Sequence, residues 1–340
     1  MPKQQRVFPT FTLGWEKATI MASNSEKPAQ ESFPFFSLPN NQNQSGFGFL
    51  FGSNEKPLPP PPPSVEVLTS EMSPTVKYTV ESVNLGDGLT LLKGRVSTHE
   101  VFALSNSDLV PGKYEGGLKL WEGSLDLVKA LHSEIQGGQL SLKGKHVLEL
   151  GCGHGLPGIF SCLEALFHQG ASVVHFQDFN AEVLRCLTIP NVNANTLRGP
   201  QQLYLATNET EKTQAEVRFF AGDWSEIHKL LFHVCDKDYQ KGSDSSSGQD
   251  PPAGYDVILM AETVYSISSL QNLYGLIKKC LSWPHGVVYM AGKKHYFGVG
   301  GGTRQFLSVV EKDGLMEASL IAEVADGLSN LREVWKISFK

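Results

Sequence analysis

The sequence contains few cysteines, and their spacing suits neither a disulfide framework nor a metal site. The five are Cys152, Cys162, Cys186, Cys235 and Cys280, and no two of them form a C-x-x-C pair. An odd number of cysteines in apolar surroundings is typical of reduced thiols in the core of an intracellular protein. No group of His, Cys, Asp and Glu has the spacing of metal ligands either, so we expect no bound metal.

Long apolar runs and an excess of basic residues are also missing. No run approaches the length of a membrane span, and residues 1–20 lack the apolar core of a secretion signal. Lys and Arg total 29 against 35 Asp and Glu, which gives a net charge of -6. This balance argues against a protein that mainly neutralises nucleic-acid phosphates. We therefore expect no membrane insertion and no direct recognition of nucleic acid.

Composition divides the 340 residues into three parts. Residues 1–63 are rich in Ser, Asn, Gln and Pro and end in a proline run, so we expect a disordered tail. Residues 64–136 contain short β-prone runs and one helical pattern, which predict strands and a helix packed against the core. Residues 137–340 are expected to form the main domain, in which the polar stretch 236–254 is a flexible loop.

The β-prone runs of the second part are rich in branched and aromatic residues and are separated by turn residues. They predict strands at residues 65–68, 78–83, 89–92 and 99–103.

In the main domain, apolar runs alternate with amphipathic stretches. Strands are predicted at residues 145–150, 173–178, 217–221, 255–260, 287–291, 315–324 and 333–339. Helices are predicted at residues 159–166, 180–187, 270–281 and 303–313. This alternation predicts an α/β fold with a doubly wound, mostly parallel sheet, because right-handed crossovers place helices on both faces. The last two strands have no helix between them and are expected to pair antiparallel.

A glycine loop follows the first strand of this domain. The strand contains Glu149, and Gly151, Gly153 and Gly155 follow at every second position. A buried strand that turns into a helix over such a loop is typical of nucleotide-binding sites. The spacing differs from the G-x-G-x-x-G of dinucleotide sites and resembles the first motif of seven-strand, Rossmann-like methyltransferases that use S-adenosylmethionine. A glycine turn in an unrelated α/β protein is the alternative.

The ends of the following strands also carry acidic residues, and ligands bind beyond the carboxyl ends of strands in open α/β sheets. Asp178 is placed to accept hydrogen bonds from ribose hydroxyls. Asp223 and Trp224 suit the amino group and the ring of adenine. Glu262 would lie beside the transferred methyl group. Four acidic strand ends in series indicate S-adenosylmethionine as the cofactor, with Trp121 as either an aromatic wall over it or a core residue.

Longer strings carry a closer resemblance. They are EGGLKLWE at 115–122, VLELGCGHGLPG at 147–158, HFQDFN at 175–180, PNVNAN at 190–195, ETVY at 262–265 and HYFGVGGG at 295–302. Together these strings resemble the protein-histidine methyltransferase family over about residues 64–340. The HFQDFN and HYFGVGGG strings are far more specific than the glycine loop.

The resemblance implies a seven-strand fold and methylation of the tele nitrogen of a histidine in a large-subunit ribosomal protein, the universal protein three of that subunit. It implies residence in cytosol and nucleus, and we expect a monomer acting on a protein substrate. With the loop residues, the expected cofactor-binding set is Leu120, Trp121, Glu122, Gly123, Ser124, Glu149, Gly151, Gly153, Gly155, Gln177, Asp178, Phe179, Gly222, Asp223, Trp224 and Ala261.

Two positions depart from the family pattern. Asp223 replaces a glutamate and keeps the carboxylate, whereas Ala261 replaces a serine and leaves only backbone contact.

Methylation of imidazole sets the remaining expectations. A neutral ring has one lone-pair nitrogen and one N–H, so directed transfer needs an acceptor that fixes the tautomer. Glu262 is the first candidate for this acceptor, with a structural carboxylate beside the cofactor as the alternative. His295 and Tyr296 are expected at the substrate mouth. The glycines at 298 and 300–302 are expected to admit a substrate backbone or to act as a hinge.

Three other functions compete with this interpretation. The acceptor could be a lysine or an N-terminus on a protein, which would keep the fold and the cofactor. The chain could be a non-catalytic module that binds S-adenosylmethionine. A nicotinamide-dependent dehydrogenase is the third alternative.

Overall fold

An eight-stranded sheet lies at the centre of the computed structural model. The structure describes residues 60–73, 75–105, 107–164, 170–196, 215–231, 254–325 and 331–340, and the statements below concern these residues. The predictions for the tail before residue 60 and for the loop at 236–253 lie outside them.

The strands follow one another along the chain with these bounds. They are β1 Val65–Val67, β2 Thr79–Gly86, β3 Leu89–Arg95, β4 His146–Leu150, β5 Val173–Asp178, β6 Glu216–Ala221, β7 Val257–Ala261, β8 Val287–Lys293, β9 Met316–Val324 and β10 Arg332–Phe339. The helices are α1 Thr98–Phe102, α2 Glu122–Gln136, α3 Leu156–Glu164, α4 Ala181–Val183, α5 Ile189–Thr196, α6 Leu270–Cys280 and α7 Thr303–Asp313. A π-helical turn, Leu184–Thr188, joins α4 to α5.

The main sheet has the strand order β1-β6-β5-β4-β7-β8-β10-β9. Strands β6, β5, β4, β7 and β8 run parallel, whereas β10 is antiparallel to both β8 and β9. The predicted α/β fold, with its mostly parallel sheet and antiparallel last pair, is confirmed. The chain moves from β4 to one side through β5 and β6 and then returns to the other side at β7. This reversal places a crevice at the carboxyl ends of β4 and β7.

Alternate residues of the central strands enter different hydrophobic clusters. Val147 of β4 packs in one cluster, whereas Leu148 and Leu150 pack in the other. In β8, Tyr289 joins the first cluster and Met290 the second. Because successive side chains of a strand point to opposite faces, the sheet is buried on both sides. Burial on both faces explains why these strands read as continuous apolar runs.

The strand predicted at 99–103 is wrong, because this segment is helix α1. The side chain of Ser97 accepts a hydrogen bond from the Glu100 N–H at 3.4 Å, and Ala103 ends the helix with a left-handed φ of 54°. Ser followed three residues later by Glu is a helix-start signature, and it outweighs the β-prone residues between them.

The helical segment predicted to end near residue 187 instead continues to Thr196. Pro190 is the second residue of α5 and lies two positions after the end of the π-helical turn. A proline is tolerated in the first turn of a helix, where its missing N–H costs little. The extension places the Asn191 and Asn195 side chains against β3, where they hydrogen-bond backbone groups of Gly94 and Leu92. These bonds hold the separate β2–β3 hairpin on the main domain.

At the sheet edge, β1 pairs antiparallel with β6, with Val65 opposite Ala221. The domain boundaries proposed at residues 64 and 137 stay predictions. No helix among the described residues is both long and apolar enough to cross a membrane.

Candidate active site

The carboxyl ends of β4 to β7 open into a cavity of about 530 Å³. This volume falls in the range of about 300–1,000 Å³ that small-molecule sites occupy. Predicted site residues that line the cavity are Trp121, Ser124, Gly151, Gly153, Asp178, Phe179, Gly222, Asp223, Trp224, Ala261 and Glu262. Predicted site residues that do not line it are Leu120, Glu122, Gly123, Glu149, Gly155, Gln177, His295 and Tyr296. Whether each of them contacts a cofactor or a substrate stays a prediction.

The glycine loop after β4 forms the floor of the cavity. Gly151 and Gly153 have φ of 59° and 49°, in the left-handed region where a side chain is strained. A Cβ on Gly153 would lie 2.9 Å from the Gly117 carbonyl oxygen. The Gly153 N–H donates to Asp178 Oδ2 at 2.9 Å. The loop therefore needs glycine both for its conformation and for its contact with the segment before α2.

Glu149 lies beneath the loop and not on the cavity wall. Its side chain is buried, and Oε2 accepts a hydrogen bond from the Gly158 N–H at 2.8 Å, in the first turn of α3. Burial raises the pKa of this carboxyl well above its usual value. The structure thus shows Glu149 bracing the start of the helix. In the same layer, Gly155 packs against Thr188 and Phe176.

Asp178 lies at the end of β5 with its carboxyl group buried. Oδ1 accepts the Asn180 N–H at 3.0 Å, and Oδ2 accepts the Gly153 N–H. Burial raises its pKa to about 6, against the opposing effect of these backbone hydrogen bonds. Each carboxylate oxygen can accept a second bond, so the group can both hold the glycine loop and receive a hydroxyl of a ligand.

Two tryptophans form aromatic walls, each fixed through its ring N–H. Trp121 donates to the Gly116 carbonyl oxygen at 3.1 Å, and Trp224 donates to Gln177 Oε1 at 2.9 Å. Gln177 also accepts from the Gly151 N–H at 3.3 Å and donates to the Gly222 carbonyl at 2.9 Å. Gln177 therefore ties together the ends of three strands from a buried position behind the wall.

Glu262 follows β7 in a left-handed conformation, with φ of 57°. Oε1 accepts the Gly123 N–H at 3.1 Å, and Oε2 accepts the Tyr296 hydroxyl proton. Burial raises the pKa of Glu262, against the effect of the Tyr296 hydrogen bond. A Cβ on Gly123 would lie 2.6 Å from Oε1, which explains a glycine at that position. Glu262 thus connects the start of α2 to the loop after β8.

His295 is exposed at the beginning of that loop. Tyr296 is half-buried, and its hydroxyl also accepts the Lys293 N–H at 3.2 Å. Burial and the neighbouring Glu262 raise the pKa of Tyr296 well above its usual value, so it is a neutral donor.

The cavity residues absent from the predicted site set include Glu115, His154, Thr263 and Tyr265. Burial lowers the pKa of His154 to about 4, so its ring is neutral. The Tyr265 hydroxyl donates to Glu115 across the cavity wall. Glu115 and Tyr265 each end or begin a string that carries the resemblance, which was the available signal for them. Their pairing was not visible, because they lie 150 positions apart.

The lining fits a positively charged ligand that carries an aromatic ring. The charged residues on the wall are Glu115, Lys119, Asp178, Asp223 and Glu262, so carboxylates outnumber ammonium groups four to one. The Thr263 hydroxyl is buried on the wall with no hydrogen-bond partner among the described residues. No group of three or more His, Cys, Asp or Glu in the described part of the chain could hold a metal ion.

A comparison of the sequence with curated proteins finds relatives that are named histidine protein methyltransferase 1 or its homolog. The chain is 37% identical over 237 residues to a histidine protein methyltransferase 1 homolog of Dictyostelium discoideum, covering 70% of this chain and 62% of the relative. It is 36% identical over 244 residues to the Rattus norvegicus homolog, covering 69% and 60%. This chain is a relative of the histidine protein methyltransferases. The expected resemblance is therefore confirmed, and the chain spans about 60% of the length of these relatives.

No protein-family model matches the chain. Among solved structures, a magnesium protoporphyrin IX methyltransferase from Synechocystis PCC 6803 with bound SAM aligns at a TM-score of 0.37 and 11% identity. That alignment covers 63% of this chain and 79% of the other. An N-methyltransferase from Bradyrhizobium japonicum WM9 in complex with S-adenosyl-l-homocysteine aligns at a TM-score of 0.38 and 13% identity, covering 64% and 86%. Scores this low add no support for a particular reaction.

Proposed function

We propose that the chain is an S-adenosylmethionine-dependent protein-histidine methyltransferase. Its acceptor is the tele nitrogen of a histidine in a large-subunit ribosomal protein, and it acts as a monomer in cytosol and nucleus. The observation that carries the proposal is the cavity at the carboxyl ends of β4 to β7, with its glycine floor, carboxylates and aromatic walls. The relationship to histidine protein methyltransferases supports the choice of acceptor.

In this proposal, the residues of the cavity bind and orient the cofactor. The loop at Gly151 and Gly153 permits close backbone approach, and Asp178 receives ribose hydroxyls. The rings of Trp121 and Trp224 enclose apolar parts of the ligand. S-adenosylmethionine supplies an electrophilic methyl group, to which the acceptor nitrogen forms a bond while the sulfur keeps the electron pair of the broken S–C bond. The protein contributes orientation and exclusion of water.

The test is methyl transfer by the full chain. Purified protein is incubated with methyl-labelled S-adenosylmethionine and the large-subunit ribosomal protein, either free or within assembled ribosomes, and the product is hydrolysed in acid. We expect labelled tele-methylhistidine. Label in methyl-lysine or at an N-terminus would replace the histidine assignment.

A binding measurement separates the remaining alternatives. We expect S-adenosylhomocysteine, and not NAD, to raise the melting temperature. Binding without transfer to any of these acceptors would indicate a non-catalytic module.

A further inference from the structure

Two carboxylate–tyrosine pairs lie at the cavity, and they differ in how far a ligand can reach them. In one pair, Glu262 accepts the hydroxyl proton of Tyr296; Glu262 lines the cavity but is buried, and Tyr296 does not line it. In the other pair, Glu115 accepts the hydroxyl proton of Tyr265, and both side chains are half-buried and line the cavity. The two tyrosine rings lie edge to face, with centroids 6.5 Å apart.

The reachable pair is held rigidly from both sides. The Glu115 N–H donates to Asn180 Oδ1 at 3.1 Å, and Glu115 Oε1 accepts the Gly112 N–H at 2.7 Å. The Tyr265 carbonyl oxygen accepts the Gly301 N–H at 3.0 Å. A side chain that orients a ligand must itself be held in place, because a mobile side chain would lose conformational entropy when the ligand binds.

The direction of the hydrogen bond decides what the pair can receive. Burial and the neighbouring Glu115 raise the pKa of Tyr265, so its hydroxyl stays protonated at neutral pH and donates to the carboxylate. The two lone pairs of the hydroxyl oxygen then remain free to accept an N–H. The carboxylate behind the hydroxyl strengthens this acceptor, since chains of hydrogen bonds polarise one another.

We propose that the Glu115–Tyr265 pair binds the acceptor imidazole, with the Tyr265 hydroxyl oxygen accepting the pros N–H. This assignment rests on the proposed function and names the group that fixes the tautomer. A proton held on the pros nitrogen leaves the lone pair on the tele nitrogen, which is the nitrogen to be methylated. During transfer the ring gains a positive charge, which Glu115 stabilises through Tyr265, and the pros proton leaves to water afterwards. Glu115 is thus a positioning residue, and Glu262 holds the start of α2.

The test compares single hydroxyl deletions in the full chain. Tyr265→Phe removes the proposed acceptor, and Tyr296→Phe removes the hydroxyl of the other pair. Tyr274→Phe is the matched control, because Tyr274 donates to Asp313 at 2.8 Å and does not line the cavity. The readouts are kcat/KM with the large-subunit ribosomal protein, the ratio of tele- to pros-methylhistidine, and the affinity for S-adenosylhomocysteine.

We expect Tyr265→Phe to lower kcat/KM about tenfold, the effect of one lost hydrogen bond, and to let pros-methylhistidine appear. Its affinity for S-adenosylhomocysteine should stay unchanged. Tyr296→Phe should keep the tele product only, and Tyr274→Phe should match the natural protein in all three readouts. Glu115→Gln, which keeps an acceptor oxygen but no charge, should also lower kcat/KM and keep more of the tele preference than Tyr265→Phe.

Three outcomes overturn the assignment. An unchanged isomer ratio and rate in Tyr265→Phe, while the natural protein makes tele-methylhistidine, removes the pair from the acceptor site and leaves the proposed function intact. A loss of S-adenosylhomocysteine affinity in Tyr265→Phe without a change of isomer assigns the pair to the cofactor instead. If the natural protein forms no methylhistidine in the ribosomal protein, the proposed function is overturned and this assignment with it.

Discussion

Two glycine-rich segments border the cavity, and they use the same residue type for different purposes. In the segment 151–155, left-handed φ values of 59° and 49° at Gly151 and Gly153 expose the backbone to the cavity. In the segment 298–302, the Gly301 and Gly302 N–H groups donate to the carbonyl oxygens of Tyr265 and Val264. The first segment presents its backbone to the space for a ligand, whereas the second packs its backbone on the loop after β7.

The difference shows that glycines beside a cavity can serve the packing of the chain against itself. A Cβ on Gly301 would lie 2.3 Å from the carbonyl oxygens of both Val264 and Tyr265. At Gly301 the close backbone approach is thus made by the chain to itself, whereas Gly298 has open space around it. The approach of a substrate backbone to this segment stays a prediction. In the second segment glycine fixes the position of Tyr265, which does line the cavity.

The largest expected effect comes from Gly301→Ala. The added Cβ must displace backbone, so we expect the free energy of unfolding to fall by about 1–3 kcal/mol and methyl transfer to be lost. Urea denaturation and the methyl-transfer assay measure these effects. Gly298→Ala is the control, because Gly298 has φ of 84° but no atom within 4 Å of the new Cβ, and it should cost only about 1 kcal/mol. Equal losses in the two variants would contradict the contact assigned to Gly301.

Gly153→Ala tests the first segment and should have an intermediate effect. The substitution strains a φ of 49° and brings Cβ to 2.9 Å from the Gly117 carbonyl oxygen. We expect about tenfold weaker binding of S-adenosylhomocysteine, which corresponds to about 1.4 kcal/mol, measured by titration calorimetry. Gly138→Ala is the control, with φ of 70° and open space around it away from the cavity. If Gly153→Ala lowers stability as Gly138→Ala does but leaves binding intact, the loop is only a turn.

The smallest expected effect is the pH dependence of cofactor binding. The pKa of Asp178 is raised to about 6 by burial, so its carboxyl group loses its negative charge as the pH falls through that value. Affinity for the cationic S-adenosylmethionine should therefore fall a few-fold between pH 7 and pH 5. S-adenosylhomocysteine lacks the sulfonium charge and should be affected less. Equal pH profiles for the two ligands would mean that the charge of Asp178 does not act on the sulfonium, and that Asp178 acts only through the ribose hydroxyls or the glycine loop.

Much of the fold was predictable from the sequence, because buried parallel strands appear in it as continuous apolar runs. The predicted strand 173–178 matches β5 at both ends, and the predicted helix 303–313 matches α7. The wrong strand at 99–103 came from weighing Val101 and Phe102 above the Ser97 helix cap. The local sequence pattern was sufficient to predict strands that are buried along their whole length. It failed at residues 99–103, where the hydrogen bond to the Ser97 side chain favours a helical backbone.

The site was predictable at the strand ends and not beyond them. Asp178, Asp223 and Glu262 follow directly from the rule on carboxyl ends, and all three line the cavity. Glu149 was expected there too, but alternation along β4 turns its side chain to the layer below. The Glu115–Tyr265 pair depends on tertiary contact across 150 positions, so no local pattern could show it.

Strand β1 and the residues just before it connect the N-terminal part of the chain to the rim of the cavity. Pro61 lines the cavity, and Ser64 lies so close to Gly222 that a Cβ there would be 2.5 Å from the Ser64 hydroxyl. Glu66 and Arg218 form an ion pair at 2.8 Å that fastens this strand to its neighbour. A tag, a cleavage or a binding partner that pulls on the chain just before residue 60 would therefore act on the rim of the cavity itself, and not on a distant surface.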